Sequence, residues 1–252
     1  MTEAMRLTVL GAGPAYTDRE GASGACYLVA HGSTNLLLDL GQGSFPRIFP
    51  HLRPEALDAV VVSHLHPDHF IDLVPLRHYL RYELTPRRRV RVLGPSDLGR
   101  RLDALHAAPG FAAEALELET LGERSHVVGG LVVEGRLVTH TDESYAIRVS
   151  PKAGGPGLVY SGDCGRAEDI APLVRPDDTI LSEASFGAGP VPPGAIHLDA
   201  PAVGRLAAST GAARALLTHL QMGHDPAETV AACRAVYRGP VEMVWPGSRI
   251  TL

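Results

Sequence analysis

A short run of histidines with an aspartate is the feature of this sequence that most directly indicates chemistry. His64, His66, Asp68 and His69 place four side chains that can bind a metal within six residues. His64 and His66 are two residues apart, so in an extended segment they point to the same side, and Pro67 then lets the chain turn. Imidazole and carboxylate together suit Zn²⁺. An ordinary polar loop is the alternative, but it explains such density poorly.

Residues of similar chemistry recur later, each at the end of a predicted strand. They are His140, Asp163, Glu183 and His219. Strand ends and their loops form the sites of layered α/β folds, so these residues can converge on one rim. The two oxygens of Asp163 can bridge two cations. Two metals about 3.5–4 Å apart can activate a water between them and hold both the attacking and the leaving oxygen. The pattern therefore predicts a dinuclear-metal hydrolase.

Hydrophobic patterning predicts the elements that must position these residues. The predicted strands cover residues 6–10, 25–30, 35–40, 59–62, 90–93, 158–161, 179–181 and 215–218, with more strands inside 127–149. The run 59–62 is wholly apolar, as expected for a strand buried on both faces. Predicted helices cover 70–82 and 200–209, the second with Asp199 as its N-cap. Further helices are predicted to begin near Pro95 and at Asp225, where a capping box is followed by Pro at N1.

Length and charge narrow the class of protein. The chain has 252 residues without a linker or low-complexity tract, which predicts a single domain over 1–252. The net charge is -5, and the sequence lacks the broad basic surface that is typical of a nucleic-acid-binding protein. One basic cluster, Arg87, Arg88, Arg89 and Arg91, leads into residues 90–93. We predict a solvated edge strand there, since charge discourages edge pairing; an anchor for an anionic substrate is the alternative.

Cysteine usage and the N-terminus indicate a reducing compartment. Cys26, Cys164 and Cys233 are few, widely spaced and odd in number, so they do not form a disulfide framework. Cys164 and Cys233 are expected to be buried, although a thiolate ligand at Cys164 is conceivable. Neither a signal peptide nor a membrane-spanning apolar run is present in the sequence. The expectation is a cytoplasmic protein without a membrane partner.

Taken in order, these motifs resemble those of the metallo-β-lactamase superfamily. The signature His-x-His-x-Asp-His matches residues 64–69, and further motifs match at Asp39, His140, Asp163 and His219. The resemblance implies a four-layer αββα sandwich with two divalent metal ions, Zn²⁺ or alternatively Mn²⁺ or Fe²⁺, at one edge of the two sheets. It assigns His64, His66 and His140 to one metal and Asp68, His69 and His219 to the other, with Asp163 bridging. Asp39 is expected to hydrogen-bond the metal loop rather than to bind metal.

Within the superfamily, three segments resemble the ribonuclease Z-like group, which includes small phosphodiesterases. They are residues 139–146, Glu183 to Ser185, and His197-Leu198. In that group the Glu orients the His, and the His protonates the leaving oxygen, as neutral-pH chemistry favours. The resemblance thus implies catalytic roles for Glu183 and His197, beside Asp68.

The chain departs from the tRNA-processing members of that group, which carry a long exosite arm between the His140 and Asp163 motifs. Here those residues are only 23 apart. Together with the acidic net charge, this argues against tRNA and favours a small phosphodiester, such as a cyclic nucleotide, attacked by a hydroxide between the metals.

Several alternatives remain open at this stage. The same site could hydrolyse a lactone, a thioester or a β-lactam, and a non-catalytic metal-binding module is a third hypothesis that the intact ligand set argues against. A homodimer follows from the resemblance alone. The Pro- and Gly-rich loop 186–194 could act as a lid. His224 either lines the pocket or, as we favour, marks a helix entry. Surface or packing positions are expected for five other histidines, His31, His51, His78, His106 and His126.

Overall fold

The computed structural model describes residues 4–252, and its strands form two seven-stranded sheets. In chain order the strands are β1 (Arg6–Gly11), β2 (Cys26–His31), β3 (Thr34–Leu38), β4 (Ala59–Val61), β5 (Val90–Gly94), β6 (Leu116–Thr120), β7 (Ser125–Val128), β8 (Leu131–Leu137), β9 (Tyr145–Pro151), β10 (Leu158–Tyr160), β11 (Thr179–Glu183), β12 (Arg214–Thr218), β13 (Val241–Met243) and β14 (Arg249–Thr251). The first sheet has the order β14-β1-β2-β3-β4-β5-β6. The second has the order β13-β12-β11-β10-β9-β8-β7.

The helices cover the outer faces of the sheets. They are α1 (Pro67–Phe70), α2 (Leu73–Tyr82), α3 (Leu98–His106), α4 (Ala167–Ile170), α5 (Ala200–Thr210) and α6 (Pro226–Arg234). One apolar cluster joins α2 and α3 to the first sheet, and another joins α5 and α6 to the second. A third cluster, with Val61 and Ile147 among its buried members, fills the space between the sheets. The expected four-layer αββα sandwich is confirmed.

Parallel strands bring the chemically active residues to one edge. In the first sheet β3, β4, β5 and β6 run parallel. In the second sheet β10, β11, β12 and β13 do so too. The carboxyl ends of parallel neighbours lie at the same edge of a sheet, where ligands bind in layered α/β folds. Within residues 4–252 the structure contains no helix long and apolar enough to cross a membrane.

The caps follow the sequence closely, but the helix predicted over 70–82 differs. Asp199 and Asp225 each accept a hydrogen bond from the backbone N–H three residues on, so α5 and α6 begin as predicted. By contrast, residues 67–82 form two helices, α1 and α2, and the first of them begins inside the histidine run. Pro75 lacks the N–H that a continuous helix needs and its ring would clash with the carbonyl of residue 71. The short α1 therefore carries Asp68 and His69 as a separate unit.

The prediction of an edge strand at residues 90–93 is wrong. β5 lies between β4 and β6, and it is β6 that forms the edge of the first sheet. The arginines serve this pairing: Arg91 makes an ion pair with Glu119 of β6 at 2.8 Å. Arg89 donates to the carbonyl of Leu116 at 3.2 Å. Two of the four arginines therefore bind β6, and these contacts do not support the use of the cluster as a substrate anchor.

Candidate metal centre

Seven side chains converge at the edge where the parallel strands end. They form two groups, in each of which the possible ligand atoms lie within 4.8 Å of one another. Group one comprises His64, His66, His140 and Asp163, and group two comprises Asp68, His69, His219 and Asp163. The structure thus brings together all seven residues that the sequence predicts as metal ligands, divided as the resemblance implies.

Asp163 joins the two groups through its two carboxylate oxygens. Oδ2 lies 3.7 Å from Nε2 of His64 and 3.7 Å from Nε2 of His140. Oδ1 lies 3.4 Å from Nε2 of His69 and 3.5 Å from Nε2 of His219. Because each oxygen faces a different group, one carboxylate can bind a cation on each side.

Hydrogen bonds on the far side of the rings fix how the histidines are presented. Nδ1 of His69 lies 2.7 Å from Oδ2 of Asp39, and Nδ1 of His140 lies 2.9 Å from the carbonyl oxygen of Ile196. When Nδ1–H donates to these oxygens, the lone pair of Nε2 faces the group, which is the arrangement of metal-binding histidines. The predicted contact between Asp39 and the metal loop is therefore present in the structure.

Two residues that the sequence analysis missed complete the surroundings of Asp39. Tyr160 on β10 donates its hydroxyl to Asp39 Oδ2 at 2.7 Å. Ser63 donates both its backbone N–H and its hydroxyl to Asp39, at 2.7 and 2.8 Å. The adjacency of Ser63 to the histidine run was the only sequence signal for it. Tyr160 lies in a run interpreted merely as a strand.

The backbone is unusual at two of the positions involved. Asp39 and His219 both have φ 57, in the left-handed region that residues other than glycine rarely adopt. Such conformations persist only where the surroundings enforce them. The N–H of Asp39 donates to the carbonyl of Val61, and that of His219 donates to the carbonyl of Ala12 at 3.0 Å. Val61 is the last residue of β4 and Ala12 directly follows β1, so the first sheet and its strand ends hold both residues in place.

The donor set fits divalent cations. Among the described residues, His64 Nε2 and Asp163 Oδ1 are buried polar atoms without a hydrogen-bond partner, and native proteins rarely tolerate such atoms. Each of them points into one of the two groups. Histidine nitrogens combined with carboxylate oxygens are the ligands typical of Zn²⁺ and related metals. A cation in each group would satisfy both atoms.

Electrostatics keep group one in the form that binds metal. Burial, aided by the nearby His69, lowers the pKa of His64 well below its usual value. Burial also lowers the pKa of His66 and of His140. For Asp163, burial opposes ionisation, but the neighbouring imidazoles of His219 and His69 outweigh it and lower the pKa of the carboxyl well below its usual range. Neutral imidazoles and a carboxylate are the ligand forms.

Glu183 and His197 form a pair beside the two groups. Glu183 ends β11 and is buried, and its carboxylate oxygens lie 3.0 and 3.1 Å from Nδ1 of His197. The N–H of Cys164 donates to the same carboxylate at 2.7 Å. Burial opposes a charge on His197, but the hydrogen bond and the charge of Glu183 prevail and raise the pKa of His197 above its usual value. His197 can therefore hold a proton near neutral pH.

Ser185 links this pair to group two, and the sequence analysis gave it no role. Its hydroxyl donates to Glu183 Oε2 and lies 3.2 Å from Nδ1 of His219. Two signals were available for Ser185: its position two residues beyond the end of β11, and its place in the Glu183 to Ser185 segment that resembles the ribonuclease Z-like group. Glu183 is thus connected to both His197 and His219.

The side chains face a cleft of about 330 Å³, which falls in the range of small-molecule sites. It is lined by Pro14, Ala15, Tyr16, His66, Pro67, Asp68, Asp163, His197, His219 and Gln221. The loop residues Pro14 to Tyr16 and Gln221 were not expected to take part, because a loop shape cannot be read from the sequence.

Several other candidates lie outside this cleft. His224 contacts Phe186 with a ring separation of 6.2 Å, and the residue after it caps α6. Cys164 is buried, its thiol donates to the carbonyl of Arg166 at 3.1 Å, and burial raises its pKa to about 12. In the loop 186–194, Phe186 packs 6.2 Å from the ring of His197. Cys164 belongs to neither ligand group, and Cys233 is buried beside α5 as expected.

Comparison with known families decides the ancestry of this site. A family model described as a β-lactamase superfamily domain matches residues 34–220, which include every residue of both groups. The chain belongs to this superfamily. An uncharacterized protein of Mycobacterium leprae is 32% identical, over 96% of this chain and 87% of that protein. The probable metallo-hydrolase YhfI of Bacillus subtilis is 29% identical, over 96% of this chain and all of YhfI.

The ribonuclease Z-like resemblance is confirmed by further matches. Ribonuclease Z of Myxococcus xanthus is 25% identical, and the match covers 98% of each chain. Two solved structures share the fold. The crystal structure of B. subtilis YhfI has a TM-score of 0.87 and 24% identity, covering 98% of this chain and 99% of that one. A diphosphatase from the PhnP family has a TM-score of 0.79 and 18% identity, covering 100% and 98%. The superfamily member described here is therefore a metallo-hydrolase.

Proposed function

We propose that the protein is a metal-dependent phosphodiesterase acting on a small, nucleotide-like substrate, for which a cyclic nucleotide is the leading candidate. The observation behind this proposal is the His197–Glu183 pair, whose His197 lines the same cleft as members of both ligand groups. Hydrolysis of a phosphodiester requires charge neutralisation at phosphorus and a proton for the departing alkoxide. The cleft offers residues for both.

The ligand groups define where the cations belong in this proposal. Group one and group two would each hold one divalent metal ion, with Zn²⁺ favoured by the donor set and Asp163 shared between them. When bound, two such ions supply an activated water and neutralise charge on the phosphoryl oxygens. Asp68, which lies 3.2 Å from Nε2 of His219 through its Oδ2, faces the cleft and can accept a proton there.

His197 is the proposed general acid. Glu183 holds Nδ1–H of the ring, so the other ring nitrogen is free to donate a proton to the leaving oxygen of a substrate in the cleft. The carboxylate also maintains the charged form of the ring, as its effect on the pKa of His197 indicates. Glu183 thus acts as a positioning residue, and His197 as a catalytic one.

The short connection between His140 and Asp163 and the acidic net charge support a small substrate over tRNA. Between His140 and Asp163 the chain consists of β9, a turn and β10, so this part of the structure has no protruding arm that could hold a folded RNA. The net charge of -5 offers little attraction for a polyanion.

The proposal is tested by metal analysis combined with a substrate panel. Purified protein is loaded with Zn²⁺ or Mn²⁺ and assayed on bis-p-nitrophenyl phosphate, cyclic nucleotides, lactones, a thioester and nitrocefin. We expect hydrolysis of the phosphodiesters that is abolished by a chelator and restored by metal. Turnover of carbonyl substrates without phosphodiester hydrolysis would contradict the proposal. A fully metallated but inert protein would contradict it as well.

A further inference from the structure

An exposed aromatic ring stands at the mouth of the catalytic cleft. Tyr16 is 73% exposed, yet it lines the same cleft as Asp68, His197 and His219. Its side chain makes no hydrogen bond or ring contact with any other residue in the described range 4–252. Isolated apolar residues on a surface need no explanation in general. A ring at the edge of a substrate-binding cleft, however, can contact the substrate. The loop that carries Tyr16 is also held in place by other parts of the protein.

Tyr16 lies on the loop between β1 and β2 of the first sheet. Contacts with the loop that follows β12 of the second sheet hold this loop in place. Arg19 donates to the carbonyl oxygens of Leu220 at 2.8 Å and His224 at 3.1 Å, both of which belong to the loop that follows β12. The guanidinium also lies 5.6 Å from the ring centre of Trp245. The exposure of Tyr16 therefore does not come from a loosely attached loop. A ring whose backbone is fixed in advance loses little freedom when a ligand packs on it.

On the side of the first sheet, a second contact fixes the residues just before Tyr16. The side-chain amide of Gln42 donates to the carbonyl oxygens of Pro14 and Ala15, at 3.4 Å each. The loop is thus fastened at both ends of the segment that lines the cleft. This arrangement presents the tyrosine ring at the rim while its hydroxyl remains without a partner in the described protein.

The rest of the lining indicates what the ring can recognise. Apart from histidines, Tyr16 is the single aromatic residue among the described residues that line the cleft. The remainder are His66, Asp68, Asp163 and His219 of the ligand groups, together with His197, two prolines, an alanine and Gln221. A flat aromatic ring beside a site for phosphoryl chemistry favours a substrate with a planar group. Any nucleic-acid base can stack on a tyrosine ring, because every base has a flat π-face.

We propose that Tyr16 stacks on the planar base of the substrate and thereby selects nucleotides over simple phosphodiesters. This inference rests on the proposed phosphodiesterase function. Tyr16 enters the cleft from a loop of the first sheet, whereas His197 enters from the second sheet, between β11 and α5. Since His197 faces the leaving oxygen, the base on Tyr16 belongs to the nucleoside that remains attached to phosphorus.

The test compares two esters with the same leaving group, thymidine 5′-(p-nitrophenyl phosphate) and methyl p-nitrophenyl phosphate. The metal-loaded protein should prefer the thymidine ester. In the Tyr16→Ala variant kcat/KM for the thymidine ester should fall about 5- to 100-fold, with little change for the methyl ester. Tyr16→Phe keeps the ring and should retain the preference. Tyr82→Ala removes a tyrosine that is 66% exposed on α2 outside the cleft, and should behave as wild type.

Equilibrium binding gives a second readout that does not depend on turnover. Adenosine monophosphate and ribose 5-phosphate differ by the base, and their dissociation constants are measured by calorimetry. Tyr16→Ala should weaken only the nucleotide. Equal losses for both ligands or both esters, or no preference in the wild type, would overturn the role of Tyr16. If neither ester is hydrolysed, the proposed phosphodiesterase function fails, and the binding measurement alone decides on Tyr16.

Discussion

Two buried aspartates at opposite ends of the second sheet have opposite surroundings. Asp163 follows the carboxyl end of β10, and Asp178 precedes the amino end of the parallel strand β11. Their exposures are 2% and 0%. Asp178 accepts two hydrogen bonds from Arg148 at 2.7 and 2.9 Å and two from backbone N–H groups, of Gly157 at 2.6 Å and Arg175 at 2.9 Å. Asp163, by contrast, has an oxygen without a partner among the described residues.

This difference separates a buried charge that serves folding from one that serves binding. Removing water from a carboxylate costs several kcal/mol unless hydrogen bonds replace it. At Asp178 the protein itself supplies the replacement. At Asp163 the protein supplies histidines whose nitrogens surround a space between two groups, and one carboxylate oxygen is left without a hydrogen bond, a place that a cation would fill. Glu183 is intermediate between the two aspartates. Its hydrogen bonds come from the protein, as at Asp178, but one of them joins it to His197, which lines the cleft.

The largest expected effect comes from Asp163. In Asp163→Ala both groups lose their shared ligand, so we expect loss of bound metal and a fall of about 10³-fold or more in kcat/KM. A variant that keeps its metal and its activity would contradict the assignment of Asp163 as the shared metal ligand.

Asp178 should show the reverse pattern. In Asp178→Asn the buried Arg148 keeps Glu134 but loses its fully buried carboxylate partner, so the free energy of unfolding should fall by about 3–5 kcal/mol in urea titrations. The metal content of the folded protein should stay as in wild type. The matched control is Asp177→Asn at the adjacent exposed position, which should change stability by no more than about 0.5 kcal/mol. Equal effects of the two substitutions would show that Asp178 has no special structural role.

Substitutions at Glu183 and His197 test whether this pair acts in proton transfer and not in metal binding. His197→Ala should lower kcat by about 10²-fold or more while both metals remain bound, as expected for the loss of a general acid. Glu183→Gln should lower kcat less, because the ring remains but loses its charged partner. Metal analysis of both variants is the control. Loss of metal in His197→Ala would contradict its assignment as a proton donor.

The smallest effect concerns pH. Burial alone would raise the pKa of Asp178, but its hydrogen bonds with Arg148 and the backbone prevail, so the pKa lies below its usual value. A carboxyl with a lowered pKa stabilises the fold fully above its unfolded-state pKa of about 4, and this contribution is lost as the pH falls further. In urea titrations between pH 6 and pH 3, Asp178→Asn should therefore lose less stability than wild type. Parallel curves would remove the electrostatic explanation.

Local signals in the sequence predicted most strands and the candidate residues at their ends, whereas the αββα sandwich and the division of the ligands into two groups came from the resemblance to the superfamily. The apolar run at β4 directly precedes the histidine run, and Asp163 and His219 follow strands that the patterning identified. The edge strand at residues 90–93 was wrong because the alternating Leu-Glu pattern of β6 was not interpreted as a strand. That strand is acidic and half exposed, so its hydrophobic signal is weak.

What the sequence could not provide were contacts between distant loops. Tyr160 reaches Asp39 across 121 residues, and Ser185 meets His219 across 34. Tyr16 reaches the cleft because Arg19 binds carbonyl groups some 200 residues away along the chain. Such contacts depend on loop geometry, for which one sequence carries no periodic signal.

The number of metal ions bound per chain shows whether the two groups that share Asp163 each hold a cation. Inductively coupled plasma mass spectrometry is applied to the wild type, to His140→Ala in group one and to His219→Ala in group two, each loaded with Zn²⁺ and freed of excess. We expect two tightly bound ions in the wild type and one in each variant. A wild type that binds a single ion, or variants that each retain two, would contradict a site built from two groups sharing Asp163.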